Sequence, residues 1–142
     1  MSSEAELEHL GRVIKQVQAR HHRALDTRLA QVGTTLAQWD ALRAIDRLPA
    51  ASAHTLATET FQSDQAFGTL GTRLAAQGLI ERRAGRGRRI EHHLTPLGRQ
   101  TLAAGRPIAA EVLTASFAGL SDAERATLAA LLARVAGEVL EI

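Results

Sequence analysis

Apolar residues recur at helical spacing through most of this chain and alternate in only one short stretch. Leu7, Leu10, Val13, Ile14, Val17, Leu25 and Leu29 fall three and four residues apart, or at multiples of those steps, with no proline among them. That periodicity predicts one long amphipathic helix over residues 4–30. A helix of about 25 residues exceeds what a small domain needs for its own core, so its apolar stripe is expected to meet a partner. After Gly33, Thr35 stands three residues before Gln38 in capping-box form, and Leu36, Trp39, Leu42 and Ile45 mark a short second helix ending before Pro49. Ser52 can cap a third, carrying Leu56 and closed by Phe61. Ser63 can cap a fourth, whose Phe67, Leu70 and Leu74 share one face. Two short helices joined by a tight turn form a helix-turn-helix candidate.

Beyond Gly78 the period changes. Leu79 to Arg83 run into the loop Ala84-Gly85-Arg86-Gly87, after which Ile90, His92 and Leu94 alternate with Arg89, Glu91 and His93. A glycine-containing loop between two such arms predicts a β-hairpin. Thr95-Pro96 then opens a long helix to about Phe117, with Pro107 expected to kink it. Ser121 and Glu124 form a capping box for a last helix bearing Leu128, Leu131, Leu132, Val135, Val139 and Leu140, expected to run to the C-terminus. The fold class expected is mainly α with a small β-hairpin wing: a winged helix-turn-helix core at about 35–95, flanked by dimerisation helices at about 4–31 and 96–142, all within the single domain 1–142.

The formal net charge of +2 over 142 residues conceals an uneven distribution. Arg82, Arg83, Arg86, Arg88, Arg89, Arg99 and Arg106 are opposed locally only by Glu81 and Glu91, whereas acidic residues dominate after Pro107. A basic patch on a nearly neutral chain points to a specific polyanion-binding face, with a solvated arginine-rich loop as the plain alternative. No apolar run approaches the length of a membrane span, and the acidic N-terminus does not have the form of a signal peptide, so a cytoplasmic location is expected. The chain has no cysteine and no tyrosine, which removes disulfides and thiolate chemistry. No phosphate-binding glycine motif and no nucleophile-base arrangement is present, so an enzyme is not expected, nor a cofactor.

Three segments carry a family likeness: Leu36-Ala37-Gln38-Trp39-Asp40-Ala41-Leu42-Arg43-Ala44-Ile45, Leu74 through Arg83, and Arg88 through His93 leading into Leu94-Thr95-Pro96-Leu97-Gly98. Together with the order of elements, they make the whole chain resemble the MarR family of bacterial transcription regulators. The resemblance implies a homodimer with interlocked terminal helices that presents two winged helix-turn-helix units to a pseudo-palindromic operator in double-stranded DNA. It implies a repressor released by a small aromatic or anionic effector. The recognition helix would span about Ser63 to Gln77, with Ser63, Asp64, Gln65, Gly68, Thr69 and Arg73 nearest DNA. Ser52, His54 and Thr55 would sit near phosphates, and Arg88 falls where family wings place a minor-groove arginine. Two departures stand out: Arg86 occupies the position where relatives often carry an aspartate that buttresses the wing arginine, and Gly68 and Thr69 replace the threonine and arginine of many relatives.

The chemistry of these residues divides by role. Arg82, Arg83, Arg86, Arg88 and Arg89 would neutralise phosphates and confer steep salt dependence. Gln65, Thr69 and Arg73 can read base edges, although Arg73 can equally clamp a phosphate or pair within the chain. Asp64 would repel phosphate unless it caps its helix or accepts from a cytosine amine. Trp39 is either a plain core aromatic or the wall of an effector cleft, where Arg12, His21, His22 and Arg43 could pair with an anionic ligand. The adjacent pairs His21-His22 and His92-His93 point in divergent directions, so no metal site is expected, and a metal-responsive regulator is a minor alternative. The other alternative is a helical protein-interaction module without direct DNA binding, which would leave the arginine-rich wing unexplained.

Overall fold

The computed structural model describes residues 3–137 and consists of six helices, one 3-10 turn and a two-stranded hairpin. Helix α1 spans Glu4–Leu29 and opens on a full capping box between Ser3 and Glu6. A 3-10 turn, Ala30–Val32, leads to α2, Leu36–Arg47. The junction is tied by Asp26, whose carboxylate accepts the Leu36 amide at 2.8 Å and so satisfies a free donor at the start of α2. Thr35 caps α2 by accepting the Gln38 amide, but Gln38 turns its own side chain to Thr34 and leaves the capping box half made.

Helix α3, Ala53–Glu59, and helix α4, Asp64–Ala76, are capped by Ser52 and Ser63. Between them Phe61 closes the turn, its amide donating to the Thr58 carbonyl at 3.2 Å, with a left-handed backbone at φ 59 and a side chain that stands 97% exposed. Strand β1, Ile80–Ala84, pairs antiparallel with β2, Ile90–Leu94, in the register Ile80 to Leu94, Arg82 to His92 and Ala84 to Ile90. This register places Ile80, His92 and Leu94 on the buried face.

Helix α5, Pro96–Ser116, is capped by Thr95 and passes through Pro107 without a break in the helix. Two close approaches seat it. A Cβ on Gly98 would lie 2.1 Å from the Leu79 carbonyl oxygen, and one on Gly105 would lie 2.2 Å from Trp39 Nε1. Only hydrogen side chains let α5 come this near to the strand end and to α2. Trp39 completes the contact by donating to the Leu102 carbonyl at 3.1 Å. The core below contains Leu29, Leu42, Leu56, Phe67 and Leu74, all fully buried.

Helix α6, Asp122–Ala136, opens on the Ser121–Glu124 capping box and buries none of its residues. It was expected to continue to the C-terminus. Instead Gly137, at φ 87, closes it as a left-handed cap. Val139 and Leu140, expected on its apolar face, lie outside the described residues, as do Glu138 and Glu141. No described helix is long and apolar enough to cross a membrane.

Candidate nucleic-acid interface

The helix-turn-helix presents its polar side outward because Phe67, Gly71 and Leu74 take the inward stripe of α4. On the outer side Thr69 donates its hydroxyl to the Gln65 carbonyl at 3.2 Å, and Thr72 donates to the Gly68 carbonyl at 3.0 Å. Both hydroxyls thus have their proton engaged and offer mainly lone pairs outward. Arg82 reaches from β1 to the Thr72 hydroxyl at 3.4 Å, joining the wing to the same surface. A Cβ at Gly68 would meet nothing within 4 Å, so this position leaves open space in the middle of the helix face.

At the front of the two helices, Ser52 accepts the Thr55 amide and donates its hydroxyl to the Thr55 side chain. Ser63 accepts the Ala66 amide at 3.0 Å. Asp64 therefore does not cap α4. Its carboxylate faces His54 on α3, whose Nδ1 lies 3.0 and 3.1 Å from the two oxygens. This contact brings the first turns of α3 and α4 together.

The hairpin tip is closed by the Gly85 amide donating to the Arg89 carbonyl at 2.8 Å and the Arg89 amide to the Arg86 carbonyl at 3.2 Å. Arg83 is engaged by Glu81 at 2.8 Å, and Arg89 donates to the Ala50 carbonyl at 3.4 Å. Among the described residues, Arg73, Arg86 and Arg88 have no acidic partner. The wing has no aspartate buttress at Arg86, and its base is fixed by other means. His92 donates twice to the Ala51 carbonyl, from its amide at 3.2 Å and from Nδ1 at 2.9 Å, and its ring meets the edge of Phe67 at 6.0 Å. One buried imidazole thus joins the hairpin, the α2–α3 loop and α4. Burial holds its pKa below the ordinary histidine value, helped by Arg82 and His93 and opposed by the Ala51 hydrogen bond. The sequence set His92 and His93 on opposite sides of the strand but carried no signal for the partner of His92, because Ala51 is marked by nothing but position.

The five residues considered for an effector cleft do not form one cluster. Trp39 is buried in the core, and the Arg43 guanidinium lies 5.3 Å from its ring centroid. Arg43 also binds Asp40 at 3.1 Å; burial raises the Asp40 pKa, while Arg43 and His22 act against the rise. His21 points elsewhere, sharing a 2.5 Å hydrogen bond with Ser116 and packing against Phe117. Arg12 is exposed on the outer part of α1. A cavity of about 280 Å³ lies between α2, the hairpin and α5, with Asp46, Arg83, His93 and Arg99 on its walls. Among the described residues, no three of His, Asp and Glu gather as metal ligands would.

Comparison with known proteins gives the arrangement a context. A family model described as the MarR family matches residues 32–90, the stretch from the end of the 3-10 turn to the start of β2. A probable transcriptional regulator from Pseudomonas aeruginosa is 31% identical, with 88% of this chain and 95% of that chain covered and a TM-score of 0.79. A mutant MarR from E. coli, solved with operator DNA, is 23% identical over 95% of this chain and 99% of that one, at a TM-score of 0.85. BpsR from Bordetella bronchiseptica, whose structure concerns regulation of DNA binding by 6-hydroxynicotinic acid, is 24% identical over 90% and 98%, at a TM-score of 0.83. The last two likenesses concern the fold. No curated protein matches the chain.

Proposed function

The chain belongs to the MarR family, and on that premise we propose that it is a homodimeric, sequence-specific, DNA-binding transcription regulator acting in the cytoplasm. It is a repressor that a small aromatic or anionic molecule releases from a pseudo-palindromic operator. The observation that carries this reading is the exposed polar side of α4 set beside a wing whose Arg86 and Arg88 have no acidic partner among the described residues. An α-helix of this kind fits the major groove, and an arginine-bearing hairpin beside it reaches the backbone and the minor groove.

Each DNA-facing residue has a role. Ser52, His54, Thr55 and Ser63 mark the front ends of α3 and α4, where phosphates meet free amides. Gln65, Thr69 and Arg73 read base edges, with Gly68 giving the groove close access to the helix. Arg82, Arg83, Arg86, Arg88 and Arg89 contribute phosphate contacts and the salt dependence that follows from them. Apolar stripes left open on α1 and α6 join two copies, which sets the spacing between recognition helices. The regulation of BpsR by 6-hydroxynicotinic acid, and a MarR family protein of Mycobacterium tuberculosis solved in complex with salicylic acid, support an organic acid as the kind of effector; of the five candidate residues, exposed Arg43, whose guanidinium lies 5.3 Å from the Trp39 ring centroid, is the one placed to meet its carboxylate.

The test begins with duplexes selected by the purified protein from a random-sequence pool. Arg88→Ala should weaken binding to the selected duplex and lower the slope of log affinity against log salt by about one, with dimerisation intact. Unchanged affinity and slope would count against the wing contact. Failure of the wild-type chain to retain any duplex would favour the protein-interaction module.

A further inference from the structure

The first residue of α4 carries a carboxylate that does not cap its helix. Ser63 already occupies the cap position and accepts the Ala66 amide, so Asp64 is free to serve another purpose. Its side chain is 68% exposed, and both oxygens lie within hydrogen-bond distance of His54 Nδ1. We infer that Asp64 reads a cytosine by accepting a hydrogen bond from its N4 amine, and that His54 is the positioning residue that holds the carboxylate for this contact. The inference rests on the DNA-binding function proposed above and deepens it.

The argument starts from what a carboxylate can accept. An ionised Asp is acceptor-only, with about four lone-pair sites; His54 Nδ1 is shared between the two oxygens, and with the side chain 68% exposed lone pairs remain for a second donor. In the major groove thymine presents O4, and guanine presents O6 and N7, all acceptors that repel a carboxylate. Adenine offers an N6 donor next to the N7 acceptor. Cytosine offers its N4 donor with no acceptor of its own on that edge, and so matches Asp64 best. Near phosphates, a negative side chain is tolerated only if its charge is offset. The N-terminus of α4 supplies that offset at this place, and the His54 Nδ1 contact holds the carboxylate there. Other polar groups nearby do not duplicate the role: the Thr69 proton is engaged by Gln65, and Gln65 itself both donates and accepts.

His54 is argued to act through Asp64, so its variant must be read at one base position and not by affinity alone. Selection from a random-sequence duplex pool is run with the full-length wild type, Asp64→Asn, His54→Ala and His54→Asn. Both positions are exposed, and circular dichroism checks that each variant folds. Wild-type sites should carry a cytosine at one position per half-site, with other bases there weakening binding about tenfold. Asp64→Asn should lose that preference and accept adenine, since an amide both donates and accepts. His54→Ala should weaken the preference at this position only, and His54→Asn, which sets an amide nitrogen where Nδ1 stood, should restore it. Retention of the cytosine by Asp64→Asn overturns the inference, as does a loss in His54→Ala that His54→Asn fails to restore. Tight wild-type binding with no base preference at that position also overturns it while leaving DNA binding intact. Binding to no duplex at all fails the underlying function and the inference together.

Discussion

The middle of the molecule and its two ends obey different rules. Between Leu29 and Val112 most apolar side chains close on one another, with Phe61, Ile90 and Leu97 left exposed, and Leu42, Leu56, Phe67 and Leu74 have no exposure at all. Toward the ends the same residue types stand open: Leu7 on α1 is 60% exposed and Val135 on α6 is 74% exposed, with Leu10, Ile14, Leu131 and Leu132 alongside them. Apolar residues at helical spacing therefore mean a filled core in one region and an unfilled face in the other. Exposed apolar stripes of this extent mark association surfaces. The difference supports the proposal that the winged middle folds as a self-contained unit and that the ends serve assembly.

Two variants separate these roles. Phe67→Ala empties a fully buried site in the middle and should cost about 3–5 kcal/mol, seen as a large fall in the denaturant midpoint. The double change Leu132→Asp with Val135→Asp touches exposed positions and should alter the stability of the folded single chain by only about 0.5 kcal/mol. It should convert the protein to monomers in sedimentation. A variant that stays dimeric would break the comparison, and so would one that unfolds as Phe67→Ala does.

Gly105→Ala tests how closely the middle is packed against α5. The added Cβ would sit 2.2 Å from Trp39 Nε1, in the path of the hydrogen bond to Leu102. Overpacking of this kind costs about 1–3 kcal/mol, and the Trp39 emission should shift as its ring is displaced. The glycine shows where sequence reading stops. The caps Thr35, Ser52, Ser63, Thr95 and Ser121 were all legible, since a hydroxyl residue ahead of an apolar period has a local physical meaning. The wing was legible from the switch to alternation. Gly105 inside a helix, by contrast, carries no local sign of the α2 indole that packs against it. The His54–Asp64 contact joins residues ten apart through a turn. Phe61 occupies a left-handed position that local rules assign to glycine or asparagine, so no pattern foretold its exposure. What is local in energy can be read from the chain; what depends on two elements meeting cannot.

The smallest expected effect is a pH slope confined to the middle, and it originates at His92. The groups around its ring are the Ala51 carbonyl, the Phe67 edge, the cross-strand Arg82 and the neighbouring His93. Burial is the largest influence and lowers the folded-state pKa from 6.5. Above that value the ring is neutral both folded and unfolded, and stability is complete. As pH falls below it the unfolded chain takes up a proton that the folded chain resists, so stability declines until the lower folded pKa is reached. The thermal midpoint should therefore fall between about pH 7 and the folded pKa, and the fall should be smaller in His92→Asn, which keeps a donor toward Ala51 but cannot take the charge. If the slope arises in the middle alone, the Leu132→Asp, Val135→Asp chain should show it undiminished. A slope that vanishes with dimerisation would instead place the titrating group at the interface, and the division between a self-sufficient middle and assembling ends would have to be redrawn.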